Sequence, residues 1–117
     1  MTIQTATQKN RLATAYGAAG GGATHAALYT TAPGGTAGTE PSGGSPAYAR
    51  KAITWGSPTN GVMTATVTFD VPTGTTIVGA GVHDAITAGN YLDGAAVTSQ
   101  AFASQGTYAL TLTYTQT

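Results

Sequence analysis

Met63-Thr64-Ala65-Thr66-Val67-Thr68-Phe69-Asp70-Val71 sets five apolar side chains on alternate positions, with three threonines and one aspartate between them. Side chains of an extended chain point alternately to opposite faces, so this period of two is that of a strand with one buried face. The stretch decides the fold class, and the end of the chain repeats it. There Tyr108, Leu110, Leu112 and Tyr114 fall on one side, and Thr107, Ala109, Thr111, Thr113 and Thr115 on the other. Threonine suits the outer face of a sheet because its branched Cβ favours extended backbone while its hydroxyl meets water.

Working outward from Met63, Asn60-Gly61 is a strong hairpin signal, and it joins this strand to a predicted strand over 48–55. Downstream, Pro72-Thr73-Gly74 predicts a turn and 76–86 a further strand in which Val78, Ala80 and Val82 face one way. Gly79 and Gly81 on its other face imply close approach by a backbone or an aromatic ring. Ala88-Gly89-Asn90 and Asp93-Gly94 bracket a short strand at Tyr91 and Leu92, with 95–98 and then the terminal strand beyond it. A first short strand is predicted over 24–29. Short strands at this spacing, with turn signals between them, predict an all-β antiparallel sandwich, jelly-roll-like or immunoglobulin-like.

The composition agrees with one such domain and narrows its partners. The chain has 117 residues, among them 24 Thr, 22 Ala and 17 Gly, and only 7% are charged; ordinary soluble domains carry roughly 25%. Lys9, Arg11, Arg50 and Lys51 balance Glu40, Asp70, Asp84 and Asp93. A neutral chain has no field to gather phosphates or acidic headgroups, so neither nucleic acid nor membrane is an expected partner. No window reaches the roughly 18 apolar residues of a spanning helix, and Met1-Thr2-Ile3-Gln4 lacks the start of a secretory signal, which predicts synthesis in a cytoplasm. Without cysteine there are no disulfides and no thiolate sites.

Residues 7–16 form the one predicted helix, with Thr5 or Thr7 as N-cap and Gly17 as the stop. It holds Lys9 and Arg11 and one large aliphatic side chain, Leu12. That leaves little apolar surface for its own core, so it is expected to dock on another copy or on the surface the protein occupies. The expected organisation is an arm and Gly-rich linker over 1–22, then a single sandwich domain over 23–117. A Pro/Gly/Ser/Thr-rich loop over 31–47 is long for a compact domain, which implies docking or function.

Few residues carry chemistry. His83 and Asp84 are adjacent on a strand and point to opposite faces, so they form no relay; no serine lies in a nucleophile elbow, and no enzyme is predicted. Two histidines and three aspartates scattered over a sheet have no metal-site spacing, and the glycine runs lack the Lys-Ser/Thr of a phosphate loop. Neither metal nor cofactor is expected. The fixed charges Lys9, Arg11, Arg50, Lys51 and Glu40 are the candidate docking residues, with an Arg50–Glu40 salt bridge as a second role. Trp55, Tyr91 and His83 are candidates for surface recognition, carbohydrate included, although a lone Trp beside a hairpin is more often core and a histidine more often structural.

Several segments together resemble a family. Ala27-Leu28-Tyr29-Thr30-Thr31-Ala32-Pro33-Gly34, Gly43-Gly44-Ser45-Pro46-Ala47-Tyr48-Ala49-Arg50-Lys51-Ala52-Ile53-Thr54-Trp55, Val67-Thr68-Phe69-Asp70-Val71-Pro72 and Gly81-Val82-His83-Asp84-Ala85 are similar to small β-sandwich virion proteins of tailed phages, especially phages of actinobacteria. The likeness spans residues 25–97. One departure is His83, where similar sequences often have an aromatic residue. The resemblance implies a non-enzymatic component of the virion with no cofactor, assembled in the bacterial cytoplasm. The expected role is a capsid decoration or minor capsid protein on the outside of the head, present in many copies. Its expected partners are itself, as a homotrimer or homodimer, and the major capsid protein. The alternative is a minor tail or tail-fibre protein that recognises the host surface and partners other tail proteins.

Overall fold

The computed structural model describes residues 2–117; Met1, the first residue of the expected arm, lies outside them. Its elements are α1 (Ala6–Tyr16), β1 (His25–Tyr29), β2 (Lys51–Ala52), β3 (Val62–Val71), β4 (Thr75–His83), β5 (Tyr91–Phe102) and β6 (Gly106–Thr115). Four strands form one antiparallel sheet in the order β2-β1-β4-β5, and β3 pairs with β6 in a second, two-stranded sheet. The all-β sandwich read from the alternation is the architecture found.

β3 shows why. Met63, Ala65, Val67, Phe69 and Val71 are all buried, and the threonines between them face solvent. β6 runs beside it in unbroken register from Val62↔Thr115 to Val71↔Gly106, which sets Leu110 opposite Val67 and Tyr108 opposite Phe69 on the buried face. From the larger sheet Ala26, Leu28, Ile77, Ala80 and Phe102 close on Val67, Phe69, Val71 and Leu110 to form the core. At about 1.5–3 kcal/mol for each large apolar side chain, this one layer supplies most of the driving force.

Three expectations are corrected. The predicted strand over 48–55 shrinks to Lys51–Ala52. β1 and β2 pair only at His25↔Ala52 and Ala26↔Lys51, and at Leu28 the backbone N–H donates instead to the Tyr48 phenol at 3.0 Å. A side chain has taken the donor that a longer strand would have used. Second, Asp93-Gly94 is no turn: β5 runs through it, pairing Asp93 with Val82 and Gly94 with Gly81. Gly94 serves close approach, since a Cβ there would lie 2.6 Å from the Tyr91 Oη and 2.9 Å from the Ala80 carbonyl. Third, Asn60-Gly61 does make the expected tight turn, with φ of 48° and 82° and Thr59 and Val62 bonded across it, but it begins no hairpin ladder. β3 pairs with β6 instead of with the strand before the turn.

The helix also differs from expectation in what it touches. It is capped as read, with Gln8 N–H donating to Thr5 Oγ1 at 3.3 Å. Yet it seats on its own domain: Ala13 is fully buried, Asn10 Oδ1 accepts the Gly61 N–H at 2.8 Å, and Tyr16 stacks on Tyr114 with centroids 3.9 Å apart. A small residue at 13 lets the helix axis come close, so one turn of modest apolar surface suffices. No helix is long and apolar enough to cross a membrane among the described residues.

Candidate functional site

Over the outer face of the four-stranded sheet gather four of the eight side chains that sequence singled out: Glu40, Arg50, His83 and Tyr91. Because strand positions alternate, β1 and β4 turn Ala26, Leu28, Ala80 and Val82 inward and send Ala27, Tyr29, Gly79, Gly81 and His83 outward. These outward residues are nevertheless buried, because the 31–47 loop and the segment after it lie across them. The glycines make room: a Cβ on Gly79 would meet Pro33 Cδ at 2.3 Å, and one on Gly81 would meet Tyr29 Oη at 2.7 Å. The close approach read from Gly79 and Gly81 is thus made by a proline ring and a phenol.

The loop is held by a latch. Arg50 grips Glu40 through Nη2 at 2.8 Å and Nε at 3.1 Å, while its Nη1 donates to the carbonyls of Ala85 at 3.1 Å and Ala88 at 3.0 Å. The Tyr48 hydroxyl donates to the same carboxylate at 2.8 Å. Burial alone would raise the Glu40 carboxyl, but the hydrogen bonds from Arg50 and Tyr48 and the guanidinium charge outweigh it and hold the group below its usual range. The Arg50–Glu40 salt bridge suggested by sequence therefore exists, and it is internal to the chain.

Beneath the latch His83 is 3% exposed, its Nε2 2.5 Å from Tyr29 Oη. Burial, reinforced by the Arg50 charge, pushes the imidazole below its ordinary value. Burial likewise raises the Tyr29 and Tyr48 phenols, which stay protonated. Tyr91 sits edge-on to both the Tyr29 and His83 rings and donates to Gly34 O at 2.8 Å. His83, proposed by sequence as a surface contact, is enclosed by these neighbours and presents no open ring face; Tyr91 is half-buried and offers part of its ring.

The remaining candidates lie elsewhere. Lys51 pairs with Asp70 at 3.6 Å across the two sheets. Trp55 is half-buried, donates from Nε1 to Ala23 O at 2.9 Å, and meets Tyr16 edge-on at 6.1 Å, so it braces the helix against the sandwich. Lys9 is half-buried, its Cβ facing Gly61, and Arg11 projects from the exposed side of the helix. Neither makes a salt bridge among the described residues. Sequence reading missed Tyr29 and Tyr48 as organisers of the latch. The available signal was the glycine pair at 79 and 81, which announces a bulky neighbour without naming it. Among the described residues no three His, Cys, Asp or Glu side chains gather to hold a metal.

Compared with known proteins, the sequence matches the family described as Podophage GP4 fiber I protein gp80 over residues 5–114. The chain belongs to this family. The match begins at the helix cap and ends one residue short of the end of β6, so the fibre I family covers helix, latch and both sheets together. Neither the curated proteins nor the solved structures hold a match. As a fibre I family member the chain is a structural protein of a phage virion. Of the two roles weighed from sequence, the family favours the tail-fibre alternative over capsid decoration.

Proposed function

We propose that this chain is a non-enzymatic component of a podophage tail fibre, attached to other tail proteins and exposed on the outside of the particle, where it contributes to contact with the host surface. The observation that carries the reading is the fibre I match over nearly the whole chain, helix and sandwich alike. The physical character of the domain supports it: a latched loop, a seated helix and a surface of hydroxyls and amides with few fixed charges suit a rigid module among crowded neighbours. Within this role Arg11 and Lys9 are the attachment charges. Arg50 and Glu40 act from inside the fold, where they shape the surface rather than contact a partner, and the more exposed Lys51 is tied to Asp70.

Locating the chain on purified virions tests the proposal. A tagged copy is expected as density on the tail in a virion reconstruction, and purified protein is expected to compete with phage adsorption. Density distributed over the head lattice would overturn it.

A further inference from the structure

β6 is an edge strand with none of the usual protection. β3 pairs along one side of it for its whole length, and no strand among those described pairs with the other. An open row of backbone N–H and C=O groups is a template for another strand, and proteins ordinarily blunt it with charge, proline or a bulge. Gly106–Thr115 contains no charged residue and no proline, and its register with β3 is unbroken. The other two long edges are guarded: β5 by Asp93 and by two irregularities in its pairing with β4, and β3 by Asp70, paired with Lys51, and by the Gly56 N–H, which donates to the Thr64 carbonyl at 2.9 Å.

The sequence of β6 also reads almost the same in both directions. About Thr111, Thr107-Tyr108-Ala109-Leu110 is mirrored by Leu112-Thr113-Tyr114-Thr115, with Ala109 against Thr113 the sole mismatch. Two such strands laid antiparallel on a two-fold axis at Thr111 place Leu110 opposite Leu112, Tyr108 opposite Tyr114 and Thr107 opposite Thr115. Opposed residues of an antiparallel pair share a face, so the apolar set stays inward and the threonines outward on both copies. No like charges meet, and the chain as a whole is neutral.

The sandwich has a vacancy where such a strand would lie. Four strands face two, and the inner side of β5, with Asp93, Ala95 and the half-buried Val97, looks across a groove of about 430 Å³ toward Leu110, Leu112 and Tyr114, with Tyr16 and Trp55 also lining it. A strand added at the β6 edge extends the smaller sheet over this groove.

We propose that a second copy of this chain pairs its β6 antiparallel with this one about Thr111, joining the two small sheets into a continuous sheet of order β3-β6-β6-β3. The interface goes beyond the tail-fibre reading and stands independently of where on the virion the chain resides.

The full chain in solution tests it by light scattering. The wild type is expected to be a dimer, and Thr111→Lys, which sets two ammonium groups at the axis from an exposed position, a monomer with an unchanged circular dichroism spectrum. Because the chain lacks cysteine, Thr111→Cys adds a single thiol. Its disulfide-linked dimer is expected to form at least about tenfold faster than that of Thr68→Cys, exposed on the adjacent strand, since pairing turns the encounter into an intramolecular one. A monomeric or trimeric wild type, a dimer that Thr111→Lys leaves intact, or equal cross-linking at the two positions overturns the proposal.

Discussion

Glu40, midway along the long loop, and Arg50, just beyond its end, are joined by three charge-assisted hydrogen bonds of 2.8, 3.1 and 3.2 Å, and the same guanidinium ties the loop to the carbonyls of Ala85 and Ala88 beyond β4. One side chain thus links three stretches of backbone that the sheet ladder does not join. The two side chains are only 12% and 26% exposed, so solvent replaces little of what is lost when one is removed. Arg50→Ala leaves a half-buried carboxylate with Tyr48 as its remaining partner. The expected cost is roughly 2–3 kcal/mol, measured by urea unfolding, with Glu40→Gln costing less because the amide keeps part of the hydrogen bonding.

Acid weakens the same region in two steps. Both the His83 imidazole and the Glu40 carboxyl are held below their ordinary values, so the unfolded chain binds more protons than the folded one and stability rises with pH. The His83 contribution is fully present above its unfolded value of 6.5 and fades as pH falls below it; the Glu40 contribution follows below 4.5. Thermal unfolding across this range is expected to show both shoulders, and His83→Gln to lose the upper one. A flat profile between neutrality and pH 5 contradicts the buried neutral imidazole. Tyr29 and Tyr48 have the opposite sign: their raised values stabilise the fold below pH 10, and that contribution is lost at higher pH.

The glycines under the loop separate packing from loop flexibility. A Cβ at Gly81 meets Tyr29 Oη at 2.7 Å and the Asp93 carbonyl at 2.8 Å, whereas one at Gly35 meets nothing within 4 Å. Gly81→Ala is expected to cost roughly 2 kcal/mol, because neither a phenol bonded to His83 nor a strand carbonyl can move aside. Gly35→Ala stays within about 0.5 kcal/mol. Chemical denaturation of the two variants side by side distinguishes them.

What sequence could reveal follows from where burial originates. β3 and β6 bury one face against the opposing sheet, and that leaves a period of two in the residues, so both strands and the sandwich were legible. β1 is buried on both faces only because the loop crosses it, and the residues of β1 carry no mark of that loop. Asp93-Gly94 misleads because glycine serves turns and close approach alike, and only the position of Tyr91 decides between them. The Arg50–Glu40 pair was visible as an option, since Glu40 is the sole acid in a stretch whose only bases are Arg50 and Lys51. That Tyr48 would join them depends on the strand it displaces.

Trp55 reports on the seating of the helix because it is the sole tryptophan and meets Tyr16 edge-on. Tyr16→Ala removes that contact and the stack on Tyr114, at an expected cost of roughly 2 kcal/mol. Its emission is expected to shift to the red as water reaches the indole. A variant with unchanged emission and unchanged stability would mean that the helix gains its place from Ala13 and Asn10 alone.

Arg11 separates attachment from folding. It stands on the exposed side of a helix whose other side is occupied by its own domain, and no acidic side chain among the described residues pairs with it. Charge reversal at a solvated position costs within about 0.5 kcal/mol, so Arg11→Glu should leave the urea midpoint and the Trp55 emission where they are. On an otherwise nearly uncharged surface, a single reversal changes the local field more than it would on an ordinary protein. Arg11→Glu is therefore expected to lower the amount of chain recovered in purified virions, as quantified by mass spectrometry, with Arg11→Lys restoring it. Normal incorporation of Arg11→Glu would remove this face of the helix from the attachment surface.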